Sequence, residues 1–179
     1  MNLPNILTLF RVLLIPLFVI LIINKRFPWA LATFALAGIT DAVDGLIARL
    51  TSQRTELGAY LDPIADKLLL SSAFITLAII EYIPSWLTVI VITRDVIILI
   101  GFLMFFLTNH RPKMGPSPLS KFTTFFQIST VLLFLIKENY AISPLITQLA
   151  IYGVVIFTVL SGIHYIYVGT KILNEKKNN

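Results

Sequence analysis

The chain has 179 residues, of which 57% are hydrophobic and 13% are charged, and its mean hydropathy is +0.88. This apolar composition is typical of a membrane protein and excludes an ordinary water-soluble domain. The formal net charge of +5 comes from sparse basic residues, and no soluble region is large enough to form a nucleic-acid-binding face, so we expect no nucleic-acid partner. The sequence contains no cysteine, which excludes disulfides and thiolate metal sites.

Apolar stretches of about the 20 residues that a bilayer requires follow one another along the chain. They are Leu3 to Ile23, Pro28 to Leu50, Asp62 to Ile83, Pro84 to Thr108, Pro118 to Ile136 and Ser143 to Leu173. The sequence therefore predicts an all-α, polytopic membrane protein: one domain over residues 1–179, built as a bundle of six transmembrane helices with a cytoplasm-facing active-site cavity. Pro16 predicts a kink or break in the first helix, because proline lacks the N–H group and its ring clashes with the preceding turn.

The basic residues outside these stretches predict the orientation. One side holds Arg54, Arg111, Lys113, Lys171, Lys176 and Lys177, and the other holds Lys25, Arg26 and Lys137. The richer side is expected to face the cytoplasm. We therefore expect a multi-pass protein of the cell (plasma) membrane with both termini cytoplasmic, in contact with membrane lipids.

Four carboxylates inside the apolar stretches are the strongest functional signal. Asp41 and Asp44 lie in the second predicted helix, and Asp62 and Asp66 lie four residues apart on one face of the third. A charged side chain at mid-membrane costs about 3 kcal/mol even on the lenient insertion scale, so each one needs a reason. One such residue is readily explained by a basic partner in the bundle, whereas four together favour a functional site.

The polar loop Thr51 to Leu61 joins the second and third helices, so they run antiparallel and their carboxylates can converge. Converging carboxylates require either raised pKa values or bound cations. Oxygen ligands favour hard cations such as Mg²⁺ or Mn²⁺, and a two-metal site suits displacement at phosphorus. Gly45 and Ala48 share the stripe of Asp41 and Asp44, where small side chains serve either close helix packing or the approach of a phosphate-bearing group.

The same region resembles the signature of the CDP-alcohol phosphatidyltransferase family. It reads Asp41-x2-Asp44-Gly45-x2-Ala48-Arg49-x8-Gly58-x3-Asp62-x3-Asp66. The resemblance implies a cytidine diphosphate donor, a pair of divalent metal ions and release of CMP. The roles it implies are metal binding by Asp41, Asp44, Asp62 and Asp66, general-base catalysis by Asp66, and binding of CDP-diacylglycerol by Asp41, Gly45, Ala48, Arg49 and Gly58.

The acceptor alcohol has to be inferred from residues outside this signature. The N-terminal stretch Asn2 to Arg11, the segment Thr93-Arg94-Asp95 and the segment around Lys121 resemble the bacterial family members that use sn-glycerol 3-phosphate. A phosphorylated acceptor requires positive charge at its site. The candidate residues for binding it are Arg94, Lys121, Arg111 and Arg11. For Arg94 the competing interpretation is a buried ion pair, although pairing with Asp95 is expected to be poor because adjacent helical residues point about 100° apart.

Two other functions remain open at the sequence level. Acidic residues on facing helices also suit a divalent-cation transporter, which does not require the glycine and alanine spacing. A sister transferase acting on serine, inositol phosphate or phosphatidylglycerol fits the same signature. The resemblance also suggests a homodimer.

Overall fold

The computed structural model describes the backbone of residues 3–50, 56–107 and 118–177, and the side chains of residues 7–43, 64–101 and 118–170. Within these ranges every regular element is an α-helix. The helices are α1 (Leu3–Ile23), α2 (Phe27–Leu50), α3 (Glu56–Ile79), α4 (Ser85–Leu107), α5 (Pro118–Lys137) and α6 (Pro144–Lys177). The all-α class is confirmed, and each helix overlaps one predicted apolar stretch.

Two helix bounds and one part of the Pro16 prediction are wrong. Helix α1 is continuous from Leu3 to Ile23 with Pro16 inside it, so the proline does not break the helix, and the kink stays a prediction. Helix α3 begins at Glu56, within the predicted polar loop, and α6 continues to Lys177, beyond the predicted end at Leu173. Hydropathy locates the apolar part of a helix, whereas helical hydrogen bonding extends beyond it into polar sequence.

Two described helical stretches are long and apolar enough to cross a membrane by length and composition alone. They are Pro118–Lys137 and Pro144–Thr170, and the shorter apolar helices Leu7–Ile23 and Phe27–Val43 accompany them. These helices are consistent with a membrane protein, while the count of six spans stays a prediction.

Several polar side chains are buried together with the apolar core, while many large apolar side chains are exposed. Arg11 is fully buried, whereas Leu13 and Ile20 on the same helix are 64% and 55% exposed. Buried polar residues recur in the other described helices, among them Thr33, Thr76, Arg94, Gln127 and Thr158. Apolar side chains that point outward and polar ones that point inward suit a hydrocarbon surrounding.

The chain divides into two compact units. The first comprises residues 1–85 and 131–141, and the second comprises residues 86–130 and 142–179. In the first unit, α1 packs against both α2 and α3. The rings of Phe18 and Phe34 meet at a centroid distance of 5.4 Å, and Phe27 meets the edge of Tyr82 at 5.1 Å.

Helices α1 and α3 both end in a left-handed residue. Lys25 has φ 55° and Glu81 has φ 62°. The next backbone N–H in each case reaches five residues back, from Arg26 to Leu21 and from Tyr82 to Leu77. This is the Schellman arrangement, which satisfies carbonyl groups that the helix end leaves without a partner.

The second unit is held by polar as well as apolar contacts between α5 and α6. The Thr123 hydroxyl donates a hydrogen bond to the backbone oxygen of Phe157 at 2.9 Å. One turn further along α5, the ring of Phe126 stacks on Phe157 at 4.5 Å and lies against Gly153. Small and polar residues between helices allow the close approach on which helix packing in lipid depends.

Candidate active site

Arg11 joins two of the four carboxylates that were predicted to bind metal. Its Nη2 lies 2.8 Å from Asp41 Oδ1 and its Nη1 lies 2.7 Å from Asp66 Oδ1. The arginine side chain is 0% exposed, and those of Asp41 and Asp66 are 42% and 45% exposed. Because both nitrogens belong to one planar guanidinium group, carboxylates from α2 and α3 are brought together on a single residue of α1.

The apolar stripes of the three helices explain why these charges meet. On α1 the buried residues Leu14, Phe18 and Ile22 follow Arg11 at intervals of three and four. On α2 the buried Phe27, Ala30, Phe34 and Ala37 precede Asp41 with the same spacing, and on α3 the buried Leu69, Ala73 and Leu77 follow Asp66. Such spacing marks one helix face. Since each charged residue continues an apolar stripe, packing of the stripes brings the charges to the same interface.

Much of the predicted site lies outside the described side chains. This holds for Asp44, Gly45, Ala48 and Arg49 on α2, for Gly58 and Asp62 on α3, and for Arg111. Among the side chains that the structure does describe, no group of three or more acidic, histidine or cysteine residues comes together. The four-carboxylate cluster therefore stays a prediction, of which the structure describes Asp41 and Asp66.

Arg94 forms a separate polar cluster within the second unit. It is 4% exposed, and its Nη1 lies 2.8 Å from Oδ1 of the equally buried Asp95. Its Nη2 donates hydrogen bonds of 2.7 Å to the hydroxyls of Ser120 and Ser161, and its carbon Cζ lies 5.7 Å from the Tyr165 ring centre. The expectation of poor pairing with Asp95 is wrong, because the long arginine side chain bends back to its neighbour.

Lys121, the other cation of this unit that was predicted to bind the acceptor and whose side chain is described, is differently placed. Lys121 follows Ser120 at the beginning of α5, and its side chain is exposed. Sequence reasoning missed the serine partners of Arg94, since a hydroxyl on a distant helix carries no local signal. It also missed Arg11 as the partner of Asp41 and Asp66, although a buried cation among apolar residues was the available clue.

Comparison with known proteins decides the family. The sequence profile of the CDP-alcohol phosphatidyltransferases matches residues 1–160. The chain belongs to the CDP-alcohol phosphatidyltransferase family. Asp41 and Asp66 are the first and last carboxylates of the family signature, whereas Arg11 lies outside the signature. Members of the family generally depend on a divalent metal.

Relatives within the family carry two kinds of name. A CDP-diacylglycerol–glycerol-3-phosphate 3-phosphatidyltransferase of Bacillus subtilis is 33% identical, with 92% of this chain and 93% of the relative covered. The protein of the same name from Wigglesworthia glossinidia brevipalpis is 35% identical, with 97% of both chains covered. The human cardiolipin synthase (CMP-forming) is 41% identical over 68% of this chain. This chain covers less than half the length of the fly, human and rat cardiolipin synthases that it matches.

The chemistry of Asp41 and Asp66 fits the divalent metal of the family. Both are carboxylates, the ligand type that hard cations such as Mg²⁺ and Mn²⁺ prefer. The two side chains come from different helices, both contact Arg11, and both are partly exposed. The described part of the site can therefore contribute oxygen ligands from α2 and α3.

Proposed function

We propose that this protein is a membrane-embedded enzyme that transfers the phosphatidyl group of CDP-diacylglycerol to sn-glycerol 3-phosphate, giving phosphatidylglycerophosphate and CMP. The convergence of Asp41 and Asp66 on Arg11 carries the proposal, because it joins both ends of the family signature in space. The acceptor is supported by the Bacillus and Wigglesworthia relatives, whose similarity extends over nearly the whole of each chain.

In the proposed reaction, a hydroxyl oxygen of the acceptor attacks the phosphorus that bears the diacylglycerol group. A new P–O bond forms, the P–O bond to CMP breaks, and CMP leaves with the bonding electrons. Asp66 takes the hydroxyl proton, since a carboxylate within hydrogen-bonding reach acts as a general base. Asp41, Asp44, Asp62 and Asp66 would hold two divalent cations, Mg²⁺ or Mn²⁺, whose positive charge would stabilise the negative charge that develops on the phosphate oxygens.

Donor binding is assigned to the α2 side of the signature. Gly45, Ala48 and Gly58 are assigned to the donor because their small side chains permit the approach of a phosphate-bearing group. Arg49 supplies positive charge for the diphosphate, and Asp41 adjoins this region. These assignments rest on the family signature and on the helical course of residues 27–50 and 56–79.

Acceptor binding is assigned to Arg94 and Lys121, together with Arg111 in the segment between α4 and α5. The exposed Lys121 is the cation available to a soluble phosphate ester. Arg94 donates hydrogen bonds to Asp95, Ser120 and Ser161. It can therefore bind the acceptor phosphate only if the phosphate replaces one of these partners. Arg11 is assigned to the carboxylates instead of the acceptor, because both of its terminal nitrogens donate to them.

Cardiolipin synthesis is the second candidate function. The human cardiolipin synthase is 41% identical over 122 residues, a region that contains the larger part of this chain. In that reaction phosphatidylglycerol replaces glycerol 3-phosphate as the acceptor and the chemistry at phosphorus is unchanged. The acceptor headgroup is then a neutral glycerol next to a lipid phosphate, so it depends less on a free cation such as Lys121.

An acceptor assay in proteoliposomes tests both candidates. Purified protein is supplied with CDP-diacylglycerol, Mg²⁺ or Mn²⁺, and either radiolabelled glycerol 3-phosphate or radiolabelled phosphatidylglycerol. We expect label from glycerol 3-phosphate to enter lipid only with CDP-diacylglycerol and metal present. Labelled cardiolipin instead would establish the second function, and metal flux without any lipid product would establish a transporter and contradict both.

We also propose that all six helices cross the cell membrane with both termini cytoplasmic, and that the protein forms a homodimer. The fully buried Arg11 beside the exposed Leu13 and Ile20 supports an apolar surrounding. The exposed Trp29 and Trp86 in the first turns of α2 and α4 suit the membrane interface.

A further inference from the structure

The contact of Arg11 with Asp41 and Asp66 has a consequence for metal binding. Asp41 and Asp66, both negatively charged, contact the guanidinium group of Arg11, whose side chain is 0% exposed. Carboxylates this close repel each other, and the repulsion grows as the surroundings become less polar. In the absence of metal, the guanidinium offsets this repulsion and links α1 to α2 and α3.

When a divalent cation binds the same carboxylates, the effect of Arg11 reverses. The cation has to share its ligands with a fixed positive charge, which lowers its affinity through Coulomb repulsion. Arg11 also orients the carboxylates by hydrogen bonding, which raises the affinity. We expect repulsion to dominate, because the guanidinium donates directly to an oxygen of both ligands.

We propose that Arg11 is a resident counter-cation of the metal site: it holds Asp41 and Asp66 together when no metal is bound, and it keeps metal binding weak enough to be readily reversible. Arg11 is thus a positioning residue that acts through the two carboxylates. The proposal rests on the metal site of the proposed function.

Mn²⁺ binding to the purified protein in detergent micelles tests the proposal. Free Mn²⁺ is measured by electron paramagnetic resonance, and thermal unfolding is followed with and without Mn²⁺. The variants are Arg11→Gln, which removes the charge, and Arg11→Lys, which keeps the charge without the two-pronged guanidinium. Arg26→Gln, at an exposed position between α1 and α2, is the matched control.

We expect Arg11→Gln to bind Mn²⁺ about tenfold more tightly than the unaltered protein, because a unit charge in contact with both ligands is lost. Arg11→Gln should unfold at a lower temperature without metal, and Mn²⁺ should raise its unfolding temperature more than that of the unaltered protein. Arg11→Lys should keep the Mn²⁺ affinity to within about threefold, since the charge remains. Arg26→Gln should match the unaltered protein in all respects.

The outcomes separate this proposal from the one on which it rests. Equal or weaker Mn²⁺ binding by Arg11→Gln, while the unaltered protein binds normally, would overturn the counter-cation role and leave the proposed function intact. If no protein binds Mn²⁺, both fail. Should Arg11→Gln not fold, Arg11→Lys decides: an Mn²⁺ affinity within about threefold of that of the unaltered protein supports the charge role. A markedly weaker affinity of the folded Arg11→Lys protein would show that orientation by the two-pronged guanidinium dominates, and it would overturn the proposal.

Discussion

Asp66 has to meet two demands at the scale of a single residue. It accepts a hydrogen bond from Arg11 at 2.7 Å, and the proposed reaction requires it to accept a proton from the acceptor hydroxyl. Its 45% exposure leaves it accessible to a substrate hydroxyl despite this contact.

Replacement of Asp66 by asparagine tests the general-base role. We expect kcat to fall by about 10²- to 10⁴-fold, the usual contribution of a positioned general base. Turnover is measured in proteoliposomes, and folding is checked by gel filtration and thermal unfolding. The matched control is Glu81→Gln, an exposed carboxylate in the turn after α3, which should leave kcat unchanged. Near-normal turnover of a folded Asp66→Asn protein would rule out the base assignment.

Lys121 carries the prediction for the acceptor site. We expect Lys121→Gln to raise the KM for glycerol 3-phosphate about tenfold, because one hydrogen bond to a charged group contributes about 1.5–3 kcal/mol. The KM for CDP-diacylglycerol should stay the same. Lys25→Gln, at another exposed lysine, is the control in the same steady-state assay. A KM that rises for the lipid donor alone would place Lys121 at the donor site instead.

Tyr82 provides a pH-dependent prediction outside the helices. Its hydroxyl donates a hydrogen bond to Glu138, and burial, followed by this bond and the negative charge of Glu138, raises the pKa of Tyr82 to about 12 from its ordinary value of 10.0. In the unfolded chain the phenol ionises near pH 10, whereas in the folded protein it stays protonated. The stabilisation is therefore complete below pH 10 and is lost as the pH rises from 10 to 12.

Tyr82→Phe removes this titration. We expect the unfolding temperature of the unaltered protein to fall more steeply between pH 10 and 12 than that of Tyr82→Phe, because only the former has a phenol to ionise. Tyr140→Phe, at an exposed tyrosine of the same unit, should behave like the unaltered protein. Parallel curves for Tyr82→Phe and the unaltered protein would contradict the assignment.

At the scale of the element, the sequence predicted the helices and named Asp41 and Asp66, the two carboxylates that the structure brings together. Apolar runs long enough for a bilayer located each helix that the structure describes. They did not locate the start of α3 at Glu56, because the first turns of this helix contain polar residues and a search for apolar runs does not detect them. The contact of Arg11 with Asp66 joins residues 55 positions apart. The apolar stripes put both residues on packed helix faces, but they do not specify which face packs against which.

The packing of α5 against α6 depends on Gly153. A Cβ atom at this position would lie 2.8 Å from Cδ1 of Phe126, whose ring is stacked on Phe157 and has little room to retreat. At Gly169, on the same helix, a Cβ atom would meet nothing within 4 Å. Gly153 and Gly169 thus belong to the same helix, but only Gly153 lies against a neighbouring side chain that a Cβ atom would clash with.

Alanine at these two glycines separates helix propensity from packing. Replacing glycine by alanine favours a helix by about 1 kcal/mol, and overpacking typically costs about 1–3 kcal/mol. We expect Gly169→Ala to keep or raise the unfolding temperature in micelles and Gly153→Ala to lower it. If both variants shift equally, the close approach of α5 and α6 does not limit stability.

At the scale of the whole molecule, polarity is arranged for a lipid surrounding. The described helices bury Arg11, Arg94, Asp95 and Gln127, while large apolar side chains such as Leu13 lie outward. In water this arrangement would expose apolar surface and desolvate charges, both of which are unfavourable. In a bilayer the outward residues contact hydrocarbon, and the inward charges bind one another, as Arg11 does with its two carboxylates.

The absence of cysteine from the sequence makes the predicted topology directly measurable. Single cysteines introduced at Arg26 and Asn139, in the turns after α1 and α5, are expected to lie outside the cell, and one introduced at Asn178 is expected to lie in the cytoplasm. A membrane-impermeant maleimide should label Arg26→Cys and Asn139→Cys in intact cells. It should label Asn178→Cys only after the membrane is opened, and Thr123→Cys, at a fully buried position, under neither condition. Labelling of Asn178→Cys in intact cells would show that the orientation is opposite to the predicted one. Because the proposed acceptor is a soluble phosphate ester, the enzyme would then have to take it from outside the cell.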